Sequence, residues 1–305
     1  MEEPLSRFAR VGIIHPMLWP EVSGGEGPIL ETLERLVADT FFQAVEVTTM
    51  ADEETRLAAR RLCEVGRVAV AFAAQPVLLR SHLSLNDPDD AARARAVEAV
   101  KGAIDQAYSL GAEACAVLSG PDPGPADRAR ATDLLVDSLK WLCDYSAQKG
   151  GLRVELETFD RKPFGKNCLI GPNAEAAEVA GKVRAQFPSF GLLVDLSHLP
   201  LQEESPRQAV RAVGDYLTHA HIGNCIVEDP AHEAYGDAHP RFGIPGGEND
   251  AGELAEFLRE LLDCGFLDPE RRPIVSFEVK PLRGESVEAL IAGSKRTLLE
   301  AWAMV

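Results

Sequence analysis

The six cysteines (Cys63, Cys115, Cys143, Cys168, Cys225 and Cys264) form no C-x-x-C pair and show no metal-ligand spacing. They therefore read as reduced thiols of a cytoplasmic protein, some of them in apolar stretches of its core. No uninterrupted apolar run is long enough to span a bilayer, and the first residues, MEEPLSRFAR, contain no apolar signal region. The glycines of SGGEG at 23–27 lack the GK[ST] ending of a phosphate loop. Basic residues are also in deficit: 31 Lys and Arg face 48 Asp and Glu, a net charge of −17. Such a balance works against nucleic acid and anionic membranes, whose phosphates require a basic face. No Pro- or Ser-rich linker, low-complexity tract or composition break divides the chain, so residues 1–305 are expected to form one domain. An apolar fraction of 46% and a charged fraction of 26% are those of an ordinary globular protein.

What is present is a recurring unit, a short apolar strand followed by a helix. Candidate strands are 11–15, 44–48, 68–73, 114–118, 152–157, 191–195, 218–222 and 273–278. The helix over 87–111 has Asp87 as its expected N-cap, Pro88 at the first helical position and Gly111 after the last turn. Its apolar stripe is Val97, Val100, Ile104 and Ala107. Further helices are expected over 125–150, from Asn173 as cap to about Phe187, and near 286–303. Strands alternating with helices over this length predict a (β/α)8 barrel rather than an open sheet, because of where the polar residues fall. Glu157, Asp195, His221 and Glu278 each end one of four successive strands. In a barrel those ends converge on one mouth.

Taken singly, a carboxylate at a strand end is most simply the N-cap of the following helix, Asp195 a turn residue, and His221 a satisfied barrel histidine. Taken together, three carboxylates and one imidazole at the same height repel one another unless a cation sits among them. Oxygen-rich ligation with one imidazole suits Mn2+ or Mg2+, with Co2+ or Zn2+ as further candidates.

These residues resemble the xylose isomerase-like TIM barrels, which include sugar isomerases, ketose 3-epimerases and endonuclease IV. The resemblance is carried by ETFDR at 157–161, DLSH at 195–198, HAHIG at 219–223, FEV at 277–279 and RFGIPGGEND at 241–250. It implies one divalent cation held by Glu157, Asp195, His221 and Glu278, with Glu157 and Glu278 doubling as acid and base. It also implies that His198 contacts substrate. The chain departs from the epimerase pattern where an Arg follows the metal histidine: Ile226 to Asp229 occupy that stretch, so Arg241 or His239 is expected to stand in. It lacks the Lys and second metal site of strict xylose isomerases. Seven histidines and the acidic surplus make the endonuclease branch the least expected.

Such a site acidifies a C–H next to a sugar carbonyl. Return of the proton to the other face is epimerisation, return to the neighbouring carbon is isomerisation, and loss of a β-substituent is elimination by a lyase or dehydratase on a keto-sugar or keto-glycoside. All three share the first step. A non-catalytic metal-binding barrel subunit is a reading of another class. The expected partner is a small sugar or sugar derivative, and a homo-oligomer is left open. Lys280 and His15 are further candidate substrate contacts. The stretch 223–250, long for a barrel loop, is expected to cover the mouth. Finally, side chains alternate along a strand, so Glu155 and His219 should pair one layer beneath the ligands.

Overall fold

The computed structural model describes residues 3–161 and 164–305; of the N-terminal stretch read above, Met1 and Glu2 lie outside the described residues. The described residues contain eight parallel strands: β1 (Arg10–Ile13), β2 (Ala44–Val47), β3 (Ala69–Ala73), β4 (Ala114–Leu118), β5 (Arg153–Glu157), β6 (Gly191–Asp195), β7 (Leu217–Gly223) and β8 (Ile274–Glu278). Consecutive strands pair from β2 to β8, and β8 pairs with β1. The ring closes between β1 and β2 through Gln43 N–H donating to Val11 O at 2.8 Å and a bridge between Ile14 and Glu46. This is the (β/α)8 barrel expected.

The alternation of side chains explains how the chain is partitioned. Val45, Val47, Val70, Phe72, Val117, Val154, Leu156, Val194, Ile222 and Phe277 face the helices and belong to one continuous apolar core. The opposite face of the same strands lines the barrel. There, Ala44, Ala71 and Ile274 form a separate, smaller apolar cluster, and Glu46, Glu155 and His219 are buried. Barrel interiors are usually filled by branched apolar layers. This one holds a layer of charge.

The ends of the helices follow local chemistry, with two corrections. The helix expected from Asp87 begins at Asp90, because Asp89 rather than Asp87 accepts the N–H of Ala91 as cap. Asp87 instead forms a turn by accepting from Asp89 N–H. Its C-terminal Gly111 adopts φ +72°, the left-handed conformation that suits glycine. Asn173 is the first residue of its helix (Asn173–Arg184) and not the cap. Its side chain is committed inward, with Nδ2 donating to Glu204 Oε2 at 2.6 Å. The other two expected helices run over Arg128–Lys149 and Val287–Met304. All six cysteines are free; five are buried as expected, while Cys264 is exposed. No helix of the described residues is long and apolar enough to cross a membrane.

Candidate metal centre

The C-terminal ends of β5, β6, β7 and β8 bring Glu157, Asp195, His221 and Glu278 together. One ligand atom from each lies within 4.8 Å of the other three. Parallel register puts them there: Asp195 pairs with His221 across β6 and β7, and Glu278 lies beside Gly223, two residues beyond His221, across β7 and β8. Glu157, Asp195 and His221 are fully buried, whereas Glu278 opens slightly to the mouth, its side chain 12% exposed.

Each donor is oriented by a neighbour. Glu157 Oε2 accepts from Gln75 Nε2 at 2.6 Å. Its Oε1 is buried and makes no hydrogen bond; His221 Nδ1 stands 3.4 Å away. Asp195 accepts from the backbone N–H of Ser197 at 2.9 Å and from the Ser197 hydroxyl. His221 directs Nδ1 towards Glu278 Oε2 at 2.7 Å and Nε2 towards Glu46 at 3.1 Å. Burial raises Asp195 above the usual carboxylate range. Burial would also raise Glu278, but His239 and His221 hold it down at about 2. Burial alone would lower His221, yet Glu46, Glu157 and Glu278 hold it well above the ordinary histidine value.

A buried carboxylate oxygen left without a hydrogen bond, among two further carboxylates and an imidazole, is a donor set that fits a divalent cation. His221 would offer Nδ1, with Nε2–H donating to Glu46. That is the usual outer support of a metal-bound imidazole.

Beneath this cluster lies the expected pair. His219 Nδ1 is 3.0 Å from Glu155 Oε2, both side chains buried. Glu155 is also tied to Arg153 Nε at 2.7 Å and accepts the Thr218 hydroxyl at 2.8 Å. Against the cost of burial, Arg153 and His219 bring it down to about 2. Glu46 on β2 completes the layer: its Oε1 lies 2.9 Å from His219 Nε2 while the same carboxylate reaches His221. Sequence reasoning missed Glu46. The available signal was a carboxylate in the middle of the apolar strand AVEVT.

A second group adjoins the first. Asp195, His198 and His239 form another candidate donor set, and Asp237 joins it with Oδ1 at 2.7 Å from His239 Nε2 and 3.1 Å from His198 Nε2. Lys166, stacked over the Phe159 ring, makes an ion pair with Asp237. Burial opposes the charge on His198, but Asp237 and Asp195 raise it to about 10. Neither Asp237 nor Lys166 was singled out as a site residue from sequence.

The remaining candidates divide. The mouth above the cluster is a cavity of about 260 Å³, and Glu157, His221, Glu278, His239 and Lys280 all line it. His239 comes from the stretch 224–250, an ordered loop with its own apolar cluster of Ile226, Ala234 and Ile244. Lys280 is exposed at the rim. His198 begins a short helix, His198–Gln202, is fully buried, donates from Nδ1 to Thr158 O at 2.8 Å, and has Nε2 3.6 Å from Asp195 Oδ2. Arg241 turns outward to Glu285 at 3.3 Å and lines a separate surface pocket. His15 packs on Trp19, with Nε2 2.8 Å from the Thr32 hydroxyl, away from the mouth.

Comparison with known proteins agrees with this architecture. Residues 35–289 match the family model described as the xylose isomerase-like TIM barrel. The chain belongs to that family. A curated L-ribulose 3-epimerase of Methylomonas sp. (strain DH-1) is 31% identical over 157 residues, covering 48% of this chain and 52% of that protein. The chain thus spans about half the length of the curated relative it matches. Among solved structures, an L-ribulose 3-epimerase superposes with a TM-score of 0.72 at 18% identity, covering 97% of this chain and 95% of that one. D-psicose 3-epimerase of Clostridium cellulolyticum H10, with D-tagatose, gives 0.66 at 18% identity over 97% and 96%. At these identities the superpositions establish the fold.

Proposed function

We propose that this family member is a divalent-metal-dependent sugar epimerase acting on the carbon next to a carbonyl. The observation that carries the reading is the meeting of Glu157, Asp195, His221 and Glu278 within 4.8 Å, with Glu157 Oε1 left without a hydrogen bond. The L-ribulose 3-epimerase relative points to the same chemistry. Mn2+ or Mg2+ suits the oxygen-rich set.

Bound there, a divalent cation would neutralise the negative charge that develops on a carbonyl oxygen as the adjacent C–H bond breaks. The protein's own groups do the rest. Glu157 on β5 and Glu278 on β8 reach the mouth from strands separated by β6 and β7. One carboxylate removes the proton and the other, protonated, returns one to the opposite face of the same carbon. Gln75 holds Glu157 in place. His239 and Lys280, both on the cavity wall, are placed to take hydroxyl groups of the sugar. We place the enzyme in the cytoplasm, where its buried thiols stay reduced.

The test is calorimetric titration with Mn2+ alongside an epimerisation assay on a panel of ketoses. Glu157→Gln and Asp195→Asn should each weaken metal binding at least tenfold and abolish turnover while the far-UV spectrum is preserved. Wild-type metal affinity in either variant would remove that residue from the ligand set.

A further inference from the structure

The loops that follow β3, β4 and β5 enclose a second cavity, about 820 Å³ against about 260 Å³ over the cluster. Leu79 and Lys166 line both, so the two spaces meet at these side chains. Sites for small molecules measure roughly 300–1,000 Å³. The mouth alone falls short of that range and suits a single sugar ring, while its neighbour is far larger than a ring requires.

The larger space is built in advance. Asn86 Oδ1 accepts from Gly120 N–H at 2.5 Å and Asn86 Nδ2 donates to Pro121 O at 3.1 Å, joining the loops after β3 and β4. The Ser119 hydroxyl accepts from Ile170 N–H at 3.0 Å, and Leu169 N–H donates to Gly120 O at 2.8 Å, joining those after β4 and β5. A Cβ at Gly120 would fall 1.8 Å from Ser84 Oγ, so the close approach of these loops depends on glycine. A rigid cavity of this kind spares its occupant the cost of ordering the walls.

Its chemistry narrows the occupant. Leu78, Leu79, Leu83, Leu118 and Leu134 supply apolar wall. Leu79 is 39% exposed, a large apolar side chain facing open space where the two cavities meet. Of the charged groups around it, Asp122 is paired with Arg128 and Lys166 with Asp237, which leaves Asp87 and Asp127 against Arg130, with His82 also on the wall. That balance offers a phosphate or carboxylate no cluster of free cations, whereas the leucines favour an uncharged apolar group.

We infer that this cavity receives an apolar aryl or alkyl group joined glycosidically to the sugar that reacts in the mouth, so that the substrate is a keto-sugar glycoside and not a free ketose. The inference rests on the epimerase reading of the mouth and adds the substrate class. It is tested with the Mn2+-loaded full chain and three probes: a keto-sugar, its phenyl glycoside, and the corresponding keto-disaccharide. The phenyl glycoside should exceed the free sugar in kcat/KM at least tenfold, chiefly through KM. Leu134 lies half-buried on the helix Arg128–Lys149, so Leu134→Trp fills the cavity and Leu134→Asn, a milder change, removes apolar wall. Either should cut the ratio of phenyl glycoside to free sugar at least tenfold. Equal kcat/KM for the two, a ratio untouched by both variants, or preference for the disaccharide would overturn the assignment. If none of the probes is turned over, the reading of the mouth fails, and calorimetric binding still decides the cavity. There the phenyl glycoside must bind at least tenfold tighter than the free sugar and lose that margin in the Leu134 variants; any other result overturns the inference.

Discussion

Glu46 Oε1 lies 3.1 Å from His221 Nε2, and this contact decides which imidazole nitrogen looks into the mouth. With Nε2–H directed at Glu46, Nδ1 is the nitrogen that faces Glu157 and Glu278 and would offer its lone pair to a bound cation. Glu46 joins the charged layer of the barrel to the cluster above it, since the same carboxylate meets His219 at 2.9 Å.

Glu46→Gln should therefore weaken Mn2+ binding by about 10- to 100-fold, the range for the outer partner of a metal-bound histidine. Glu46 itself touches no bound sugar, so KM for sugar at saturating metal should change little. Metal titration followed by kinetics at saturating Mn2+ separates the two effects.

Glu155→Gln acts one step further away, through His219 and Glu46. It should lower metal affinity measurably but less than Glu157→Gln. It should also destabilise the fold by about 1–3 kcal/mol, because Arg153 and His219 lose a charged acceptor that is fully buried. Urea denaturation of the metal-free protein measures the second effect independently of the first.

The layered arrangement was legible before the structure because strand periodicity is rigid. Glu155 shares a face with Glu157, and His219 with His221, and β5 and β7 have the same parity, so their pairing follows. The four residues of the cluster were legible for the same reason, each being polar at the end of an apolar run. Glu46 was not, since β2 and β7 are not neighbours in the sheet and their contact crosses the barrel. Loop residues escaped periodicity altogether. His198 looked like a loop side chain near Asp195, but it opens a short helix and is buried there. Arg241 and His239 stand two positions apart on one irregular segment, and only the folded loop shows that one faces Glu285 and the other the mouth.

Arg241→Ala should accordingly leave turnover within about twofold of wild type, an exposed ion pair being worth ~0–1 kcal/mol. Lys280→Ala, at the rim of the mouth, should raise KM while sparing metal affinity. Steady-state kinetics of both variants, with a Mn2+ titration of the second, checks the assignment.

His15 gives the stability a pH dependence of its own. Burial lowers its pKa from 6.5 to about 4, so the folded state keeps the imidazole neutral where the unfolded chain would protonate it. Its contribution is complete above the unfolded value and is lost as pH falls towards the folded one, amounting to about 2 kcal/mol by about pH 5. Denaturant midpoints of wild type and His15→Leu compared from about pH 7.5 down to about pH 5 should show the shallower decline in the variant.

The central claim is that this mouth breaks a C–H bond beside a sugar carbonyl with the help of a bound divalent cation. Solvent deuterium incorporation, followed by proton NMR on keto-sugars and their glycosides in D2O, reads that step directly. The account predicts deuterium at the carbon next to the carbonyl with the Mn2+-loaded protein, loss of exchange on chelation, its return on adding Mn2+ back, and none in Glu157→Gln. Exchange that persists at full rate in the chelated protein, or no exchange in a protein shown to hold stoichiometric Mn2+, would contradict it.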